Sequence, residues 1–366
     1  MKVTCNREKL REGLAVANQV VPSKSPKPVL ENVCLVATDD ALELICTDQE
    51  VSLRFRIDDV DVEDPGPVVV PARVALDFVR DLSSERCTLE TNENVCHIHG
   101  EGDTCELVTI DAEEFPVIPR FGDEKALSLQ GGSFTRLVQQ TAFAAAREPG
   151  RYAMHGVLTE VDADTLRMVG TDGRRLALAE IPIDSPEGLG TPAIVPTKGM
   201  QLFCRVIQDP LDQVHLHFAE NQIGLRTRNA EIFVRLIDGE FPRYSAVLPS
   251  ESSHHIDLDR ELFSKKLRLV ANVAGDEARA VRLRVSNGSM EFFGQSAGRG
   301  EAKARMDVVF DGEMAEIAFN PDYVLDGIKQ CGQETVRLQF NERNSPGEFR
   351  LGETYRYIVM PITLEA

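Results

Sequence analysis

Two pairs of histidines have the spacing most typical of a chemical site. His97 and His99 form one pair and His215 and His217 the other, and each places two imidazoles on one face of a predicted strand, a spacing that can bind a metal ion. Three cysteines lie near the first pair: Cys87, Cys96 and Cys105. The two pairs fall on different strands of repeated segments, and no HExxH or CxxC motif accompanies them. We therefore expect no metal and no cofactor, and a metal-dependent enzyme is the least favoured alternative.

Phosphate-binding motifs do not strengthen the case for an enzyme. The glycine-rich segment 298–303 ends in Lys303 but lacks the spacing of a Walker loop and the Ser or Thr that follows its lysine. Asp and Glu are abundant, yet no motif pairs them as acid and base. The sequence therefore predicts a protein without catalytic residues.

Composition restricts the classes of function. The chain has 366 residues, with 40 Lys and Arg against 59 Asp and Glu, so its formal net charge is −19. That charge argues against binding nucleic acid by overall attraction, although a basic strip within an acidic chain remains open. The N-terminus lacks an apolar targeting segment, no run is long enough to span a membrane, and the eight cysteines form no disulfide pattern. We expect a cytoplasmic protein with no membrane partner.

An internal repeat organises the whole chain. Pro71, Pro196 and Pro321 follow similar apolar segments and are 125 residues apart at each step. Two further pairs of landmarks agree with this period: Thr47-Asp48 with Thr171-Asp172, and Phe115-Pro116 with Phe241-Pro242. Agreement of so many landmarks predicts three homologous domains, at 1–121, 126–248 and 253–366.

Each repeat contains the same order of elements twice, a strand, a helix and three strands (βαβββ). In the first repeat, Asn6 can cap a helix that continues to about Val20, and a second helix begins beside Pro71. The later repeats begin alike, with a strand and a helix at about 127–146 and 256–273. The sequence predicts an α+β fold in which each domain has two helices on one face of two antiparallel sheets.

Positive charge is concentrated in the predicted helices. Their segments sum to about +6, which leaves about −25 for the rest of a chain whose net charge is −19. Helices tolerate Lys and Arg well, so this pattern has a purely structural explanation. Its functional explanation is that the helices share one surface that faces a polyanion.

Helix dimensions show what such a surface could enclose. Helices pack about 8–10 Å apart, so six around a circle would leave almost no central space. Twelve would give a bore of about 28 Å, and a B-form duplex is about 20 Å across. One chain of six helices is too small to enclose DNA, whereas two chains arranged head to tail could.

Several motifs, taken together, resemble one family. They are the triple repeat, Val70-Pro71-Ala72-Arg73, the Thr171–Leu176 turn, Gly239-Glu240-Phe241-Pro242 and the C-terminal Tyr357–Ile362 segment. In this order they resemble the bacterial DNA polymerase III β subunits, the replicative sliding clamps, over the whole chain. The resemblance implies the DNA-clamp fold and a head-to-tail homodimer that forms a six-domain ring around duplex DNA. It also implies a non-catalytic processivity factor of the polymerase III holoenzyme in DNA replication.

The resemblance implies three kinds of partner besides a second copy of the chain. An ATP-driven clamp loader would place the ring on DNA, and the ring would slide without reading sequence. The replicative polymerase and repair proteins would bind through short apolar motifs. The alternative is an acidic scaffold that recruits proteins through the same C-terminal groove without encircling DNA.

Candidate DNA-binding residues come from the helices and from the resemblance. Those assigned to the predicted helices are Arg73, Arg80, Arg136, Arg147, Lys198, Arg205, Lys265, Lys266 and Arg268. The resemblance adds Lys24, Arg151 and Tyr152. Weak, scattered contacts of this kind would permit sliding.

The resemblance also implies a partner-peptide pocket and a dimer interface. The pocket residues would be Met154, Thr171, Gly173, Arg174, Arg175, Leu176, Pro242, Val247, Ile358, Val359, Met360, Pro361, Ile362 and Leu364. The alternative for the C-terminal segment is an ordinary edge strand, although Pro361 cannot pair within a central strand. At the dimer interface, Cys105 and Leu107 would meet Asn272 and Val273 of a second chain.

Overall fold

The computed structural model describes residues 1–122, 125–148, 150, 153–184, 192–275 and 279–363. Over these residues the chain forms six α-helices and twenty-five strands, all paired antiparallel where their pairing is recorded. The described helices are all too short or too polar to cross a membrane.

The six helices fall two to each repeat. Their bounds are α1 (Arg7–Val20), α2 (Ala72–Asp81), α3 (Gly131–Thr141), α4 (Thr197–Val206), α5 (Arg260–Ala271) and α6 (Pro321–Lys329). Four short 3-10 helices lie at Pro28–Glu31, Ala112–Glu114, Ala142–Ala144 and Tyr244–Val247.

The strands follow the repeats in the same way. The first repeat contains β1 (Lys2–Asn6), β2 (Asn32–Thr38), β3 (Ala41–Thr47), β4 (Val51–Ile57), β5 (Val60–Asp64), β6 (Gly66–Pro71), β7 (Arg86–Asn92), β8 (Val95–Gly100) and β9 (Asp103–Val108). The second contains β10 (Leu127–Gln130), β11 (Gly156–Asp162), β12 (Thr165–Thr171), β13 (Arg175–Pro182), β14 (Ala193–Pro196), β15 (Gln213–Phe218), β16 (Gln222–Arg226) and β17 (Ala230–Arg235). The third contains β18 (His254–Asp259), β19 (Val281–Ser286), β20 (Ser289–Ser296), β21 (Gly300–Asp307), β22 (Ala315–Phe319), β23 (Thr335–Phe340), β24 (Gly347–Arg350) and β25 (Tyr355–Val359).

The predicted βαβββ order is confirmed in all six half-repeats, with one additional strand, β5. Sequence reasoning missed β5 because three of its five residues are acidic. It forms because β1 offers it a backbone edge, with Cys5 opposite Val60 and Val3 opposite Val62.

Local signals explain where several helices begin. The side chain of Asn6 accepts a hydrogen bond from the backbone N–H of Lys9 at 3.0 Å, so the predicted cap of α1 is confirmed. The helices α2 and α4 begin directly after Pro71 and Pro196, which provide no side-chain cap. Pro321 occupies the first turn of α6, where its missing N–H costs no hydrogen bond.

The prediction that the first helix of the second repeat extends to about residue 146 is wrong, because α3 ends at Thr141. The strand β12 passes so close that a Cβ placed on Gly170 would lie 2.2 Å from the carbonyl oxygen of Thr141. The strand therefore occupies the space that another turn of helix would need. Arg147 consequently lies in the segment after the helix and the short 3-10 turn.

The described chain divides into two compact units, and the first contains Met1–Thr135 and Asp184–Leu236. Its sheets have the orders β5-β1-β7-β8-β9 and β10-β15-β16-β17-β4-β3-β2-β6. The second of these sheets crosses the boundary between repeats, because β17 pairs with β4 from Ala230 opposite Phe55 to Val234 opposite Val51. Helix α1 packs against β3, β4, α2 and α4.

The second unit contains Arg136–Ile183 and Ile237–Ala366. Within it, seven strands follow the order β11-β12-β13-β25-β24-β23-β18, and four more form the sheet β21-β20-β19-β22. Here β13 of the second repeat pairs with β25 of the third, with Arg175 opposite Val359 and Leu176 opposite Ile358. Helix α5 packs against β19, β20 and β21 and against α6.

Candidate functional site

The predicted DNA-binding residues of the first unit lie on the exposed faces of α2 and α4 or in a loop. Arg73 and Arg80 are seven residues apart on α2, as are Lys198 and Arg205 on α4, so each pair lies on one helix face two turns apart. All four are exposed, as is Lys24 in the loop after α1.

Two of these cations have carboxylate partners. Arg80 contacts Asp77 at 2.9 Å and Asp81 at 3.1 Å, and the Lys198 ammonium lies 2.6 Å from an oxygen of Asp48. Arg73 and Arg205 have no ion pair with any residue that the structure describes. The latter two are therefore the better placed to meet an external anion.

The predicted DNA-binding residues of the second unit are also at the surface. Arg136 on α3, Lys265 and Arg268 on α5, and Arg147 after α3 are exposed, and Lys266 is half-buried. The Arg268 guanidinium donates to the carbonyl of Ser264 at 3.2 Å within its own helix. Arg151, Tyr152 and the pocket candidate Leu364 lie outside the described residues.

The proposed peptide site begins with the turn between β12 and β13, at 171–175, which we call the pocket turn. The Thr171 hydroxyl donates to the carbonyl of Arg175 at 2.7 Å and accepts from the N–H of Gly173 at 3.1 Å. Asp172 accepts from the N–H groups of Arg174 and Arg175 at 3.0 and 3.1 Å. Gly173 adopts a φ of +82°, which favours glycine. The turn is therefore held by its own side chains.

Arg175 fixes the pocket turn to helix α6. Its guanidinium donates to Asp172 at 3.0 Å, to Asp326 at 2.6 Å and to the Phe143 carbonyl at 3.2 Å. It also lies over the ring of Tyr323, 4.7 Å from the centroid. Burial is the largest single influence and lowers the pKa of Arg175, but the hydrogen bond to Asp326 and the interactions with Tyr357 and Asp172 together outweigh it and raise that pKa above its usual value. The side chain is therefore a buried cross-link with its charge satisfied.

The C-terminal segment lies beside this turn. The edge-strand alternative is wrong for Tyr355–Val359, because β25 is enclosed between β13 and β24. Beyond it, the N–H of Met360 still donates to the Arg174 carbonyl at 2.9 Å, and the N–H of Ile362 donates to the Ala318 carbonyl at 2.8 Å. The intervening Pro361 has no N–H to donate.

The pocket candidates divide into buried residues that support the site and residues that are accessible at its surface. Thr171, Arg175, Leu176, Ile358 and Val359 are buried and support the site from below. Met360 is 39 % exposed, Pro361 and Ile362 are half-buried, and Gly173 and Arg174 are exposed. The accessible part thus combines an apolar strip with backbone polar groups.

A second group of pocket candidates lies on neighbouring segments of the same unit. The N–H of Ala153 donates to the Glu240 carbonyl at 3.2 Å, which joins the segment of Met154 to that of Pro242. Val247 is 39 % exposed and ends the short helix Tyr244–Val247. The Tyr244 hydroxyl bonds to Glu160, so this helix is anchored to β11.

This environment changes the pKa of the Tyr244 hydroxyl. Burial, together with the adjacent Glu160 carboxylate, raises the pKa of Tyr244 to about 12. The neutral phenol therefore persists well above neutral pH and continues to donate to Glu160.

The proposed dimer residues occupy two separate elements. Cys105 and Leu107 lie on β9, which is the last strand of its sheet; Leu107 is buried and Cys105 is half-buried. Asn272 caps the C-terminus of α5 and is exposed, and the adjacent Val273 is half-buried.

Among the described residues, the histidine pairs gather too few further ligands to hold a metal ion. His97 and His99 stack with their centroids 5.7 Å apart on β8, and His215 hydrogen-bonds Ser128 at 2.9 Å. In the described part of the chain, no three His, Cys, Asp or Glu side chains are grouped to hold a metal. One GxSxG pattern at 294–298, which sequence reasoning overlooked, lies at the β20–β21 hairpin rather than at a strand-to-helix turn.

Sequence reasoning also missed Tyr323 and Asp326, which hold Arg175 from α6. The 125-residue period of the repeat could have pointed to Tyr323. Adding the period of 125 to Lys198, which contacts Asp48, gives Tyr323, which lies beside the pocket turn. Contacts that recur between repeats could therefore have identified this position.

Family models match the three repeats in order. They describe the DNA polymerase III beta subunit N-terminal domain over residues 1–119, the central domain over 128–243 and the C-terminal domain over 245–363.

Individual relatives match over the full chain. The beta sliding clamp of Pseudomonas putida is 30 % identical, and that of Escherichia coli K12 is 29 % identical, with 100 % of each chain covered. The crystal structure of a Pseudomonas aeruginosa clamp bound to griselimycin has a TM-score of 0.95 at 30 % identity, and that of the Bacillus subtilis clamp has 0.94 at 25 %, again with full coverage. With three clamp domains in sequence and in structure, the chain belongs to the DNA polymerase III beta subunit family, the beta sliding clamps.

Proposed function

We propose that this chain is a replication processivity factor that encircles duplex DNA as a head-to-tail homodimer and tethers partners through the site around the pocket turn. The domains are proposed at 1–121, 126–248 and 253–366, which gives six domains in the ring. The ring would be non-catalytic and cytoplasmic, and its contacts to DNA would be independent of sequence. The observation that carries the proposal is membership of the sliding-clamp family over the full length of the chain.

Charge distribution supports the contact with DNA. The six observed helices carry a summed formal charge of +6, although the chain carries −19. Arg73, Arg136, Arg205 and Lys265 are exposed on four different helices. Such scattered cations attract phosphate without holding it in one position, as sliding requires.

Two sheet edges support the assembly with a second copy. Strand β9 ends the five-stranded sheet, and strand β21 ends the four-stranded sheet, so among the described strands each has a paired neighbour on one side only. An unpaired edge is a template for pairing with another chain. Pairing β9 of one copy with β21 of the next would satisfy both edges and continue the sheets across the dimer interface.

The pocket turn supports the recruitment of partners. Its backbone is rigid because Thr171, Asp172 and Arg175 satisfy it internally, while the side chain of Met360 remains partly exposed beside it. An apolar strip on a pre-formed support is a common form of peptide recognition. The acidic-scaffold alternative shares this site and differs only in having no topological link to DNA.

Sedimentation velocity with closed circular, nicked circular and linear DNA tests encirclement. We expect a dimer that, after treatment with clamp loader and ATP, stays on circles and is lost from linear ends. A stable monomer that never remains on circles yet binds partner peptides would support the scaffold instead.

A charge-reversal variant tests the helices. Arg73→Glu with Arg205→Glu should reduce retention on circles severalfold without changing the dimer mass. The matched control is Arg228→Glu with Arg343→Glu, which makes the same change in net charge at exposed loop positions. Equal retention by both variants would remove Arg73 and Arg205 from the DNA-facing surface.

A further inference from the structure

The segment that joins the first two repeats packs on one face of the eight-stranded sheet in the first unit. We call residues 115–121 the first linker. The Arg120 guanidinium donates to the buried carboxylate of Glu43 at 3.2 Å, and the N–H of Phe121 donates to the carboxylate of Glu231 at 3.4 Å. These two contacts hold the end of the first linker against strands β3 and β17.

The side chain of Phe121 lies in a seat on this face of the sheet. Its ring centroid is 5.1 Å from that of Phe233 and 6.0 Å from that of His217, and the Arg226 guanidinium lies 5.2 Å from the same centroid. The residue opposite both Phe233 and His217 on the strand between them is Gly224. A Cβ at Gly224 would lie 3.0 Å from Cε2 of Phe121, so the ring fits closely because this position has no side chain.

Phe121 has the same place in the repeat as one of the pocket candidates. Phe115-Pro116 and Phe241-Pro242 are 126 residues apart, and the same step leads from Phe121 to Val247. Phe121 is half-buried in its seat, whereas Val247 is 39 % exposed. The first linker therefore presents an aromatic ring where the second presents an accessible valine.

The strands that form the two sites are equivalent as well. In the first unit Phe233 lies opposite Ser52. The residues 125 and 124 positions later, Ile358 and Leu176, lie opposite each other in the second unit, and both are pocket candidates. Directly opposed residues share a face of a sheet, so the first unit contains a counterpart of the pocket. We call this counterpart the first groove; its residues are Ser52, Gly224 and Phe233.

The two sites differ at the next strand. The residue opposite Phe233 is Gly224, but the residue opposite Ile358 is Glu348. Glu348 is 1 % exposed, and its carboxylate lies within 3.2 Å of two arginine side chains. A side chain at this position takes the space that Gly224 leaves free for a ring. The second unit therefore lacks the seat that holds Phe121 in the first.

On the basis that the pocket turn binds partner peptides, we propose that Phe121 occupies the first groove in place of such a peptide and limits each chain to one peptide site. The ligand that Phe121 excludes is an apolar peptide of the same kind, because the first groove has the same strand pair and linker position as the pocket. A covalently attached occupant acts at an effective concentration of about a millimolar, so free peptide at micromolar concentration competes poorly.

Calorimetric titration of the full-length protein with a peptide that carries an apolar clamp-binding motif tests the proposal. The wild type should bind one peptide per chain. Phe121→Ala removes the ring and should bind two, with affinities within about tenfold of each other.

The rim of the first groove allows a second variant. The N–H of Arg235 donates to the Glu50 carbonyl, just as that of Met360 donates to the Arg174 carbonyl beside the pocket. Adding Arg235→Met to Phe121→Ala supplies an apolar rim and should tighten the second site about threefold.

A third variant assigns the new site to the first unit. Met360→Arg weakens binding at the pocket, and adding Phe121→Ala should restore one peptide per chain, bound about fivefold or more tightly than by Met360→Arg alone. The matched control is Phe78→Ala, which truncates another half-buried phenylalanine of the first unit, on α2, and should bind one peptide like the wild type. Thermal melts show whether each variant retains its fold.

A folded Phe121→Ala protein that binds a single peptide, with Arg235→Met added or not, would overturn the proposal. So would a wild type that already binds two peptides, or a second peptide bound equally well by Phe78→Ala. Failure of the pocket turn gives a different result, because the wild type would then bind no peptide at all.

Discussion

The turn at 47–51 and the pocket turn at 171–175, in neighbouring repeats, have the same hydrogen bonds between side chains and backbone. The Thr47 hydroxyl donates to the Val51 carbonyl at 2.7 Å, as Thr171 does to Arg175 at 2.7 Å. The following aspartate, Asp48 or Asp172, accepts two backbone N–H groups in each turn.

The similarity between the two turns extends to the strand beside each of them. The N–H of Arg235 donates to the carbonyl of Glu50 at 2.8 Å, and the N–H of Met360 donates to that of Arg174 at 2.9 Å. What differs is the side chains: the first turn has Lys198 paired with Asp48 and has Arg235 at its rim, whereas the pocket turn has buried Arg175 and the apolar Met360. A repeated scaffold thus becomes a candidate peptide site through a few side chains.

The largest expected effect concerns Arg175. Arg175→Ala leaves Asp172 without its guanidinium partner and frees α6 from the pocket turn, so the free energy of unfolding should fall by about 3 kcal/mol. The matched change in the first turn, Val51→Ala, deletes only apolar atoms and should cost about 2 kcal/mol. Urea denaturation measures both, and a smaller loss for Arg175→Ala would contradict its assignment as a cross-link.

Substitutions of Met360 and Arg235, which lie at the rims of the two turns, test whether only the pocket turn binds peptides. Met360→Arg should lower affinity for a partner peptide at least about tenfold, or about 1.4 kcal/mol, because it puts a charge into the apolar strip. Arg235→Met should leave that affinity unchanged. Calorimetric titration with a peptide carrying an apolar clamp-binding motif measures both, and an effect of Arg235→Met would mean that peptides also use the first turn.

The third prediction concerns the left-handed residue of each turn. Gln49 has a φ of +77° and Gly173 a φ of +82°. Gly173→Ala should destabilise the protein by about 1 kcal/mol, since an L-residue is strained there. Gln49→Gly should change stability by less than about 0.5 kcal/mol, because relief of strain and loss of chain entropy oppose each other. Equal losses in thermal melts would contradict the backbone strain expected for Gly173→Ala.

The smallest effect at neutral pH concerns Tyr244, which anchors a segment beside the pocket turn. Because its pKa is raised from 10.0 to about 12, the neutral phenol stabilises the fold fully below pH 10, and this contribution is lost as the pH rises to about 12. The stability difference between the wild type and Tyr244→Phe should therefore shrink over that range. A difference that stays constant across pH 10–12 would exclude this coupling.

Much of the fold could be predicted because each half-repeat has its own local signals. Asn6 caps α1, the prolines mark α2, α4 and α6, and the apolar segments repeat with a fixed period. The exceptions depend on contacts between distant segments. Helix α3 ends early because Gly170 of strand β12 lies against its last residue. Strand β5 forms because β1 offers it an edge to pair with.

The candidate site could be predicted only in outline. Family resemblance selected Met360 and Arg175, but sequence alone does not reveal that Val359 is buried or that Asp326 binds Arg175. Lys198 was expected to face DNA, and its 2.6 Å contact with Asp48 arises only when the repeats pack together. Burial and ion pairing depend on which repeats share a sheet.

The shared sheets have a consequence for how such a chain could have originated. The ladder of five residue pairs between β17 and β4 joins the first repeat to the second by backbone pairing as well as by the chain itself. A single ancestral repeat would have exposed the same edge and needed a separate molecule to cover it. Gene triplication would then have placed both pairing strands in one chain. Their effective concentration would have risen, because a covalent linker keeps them close together.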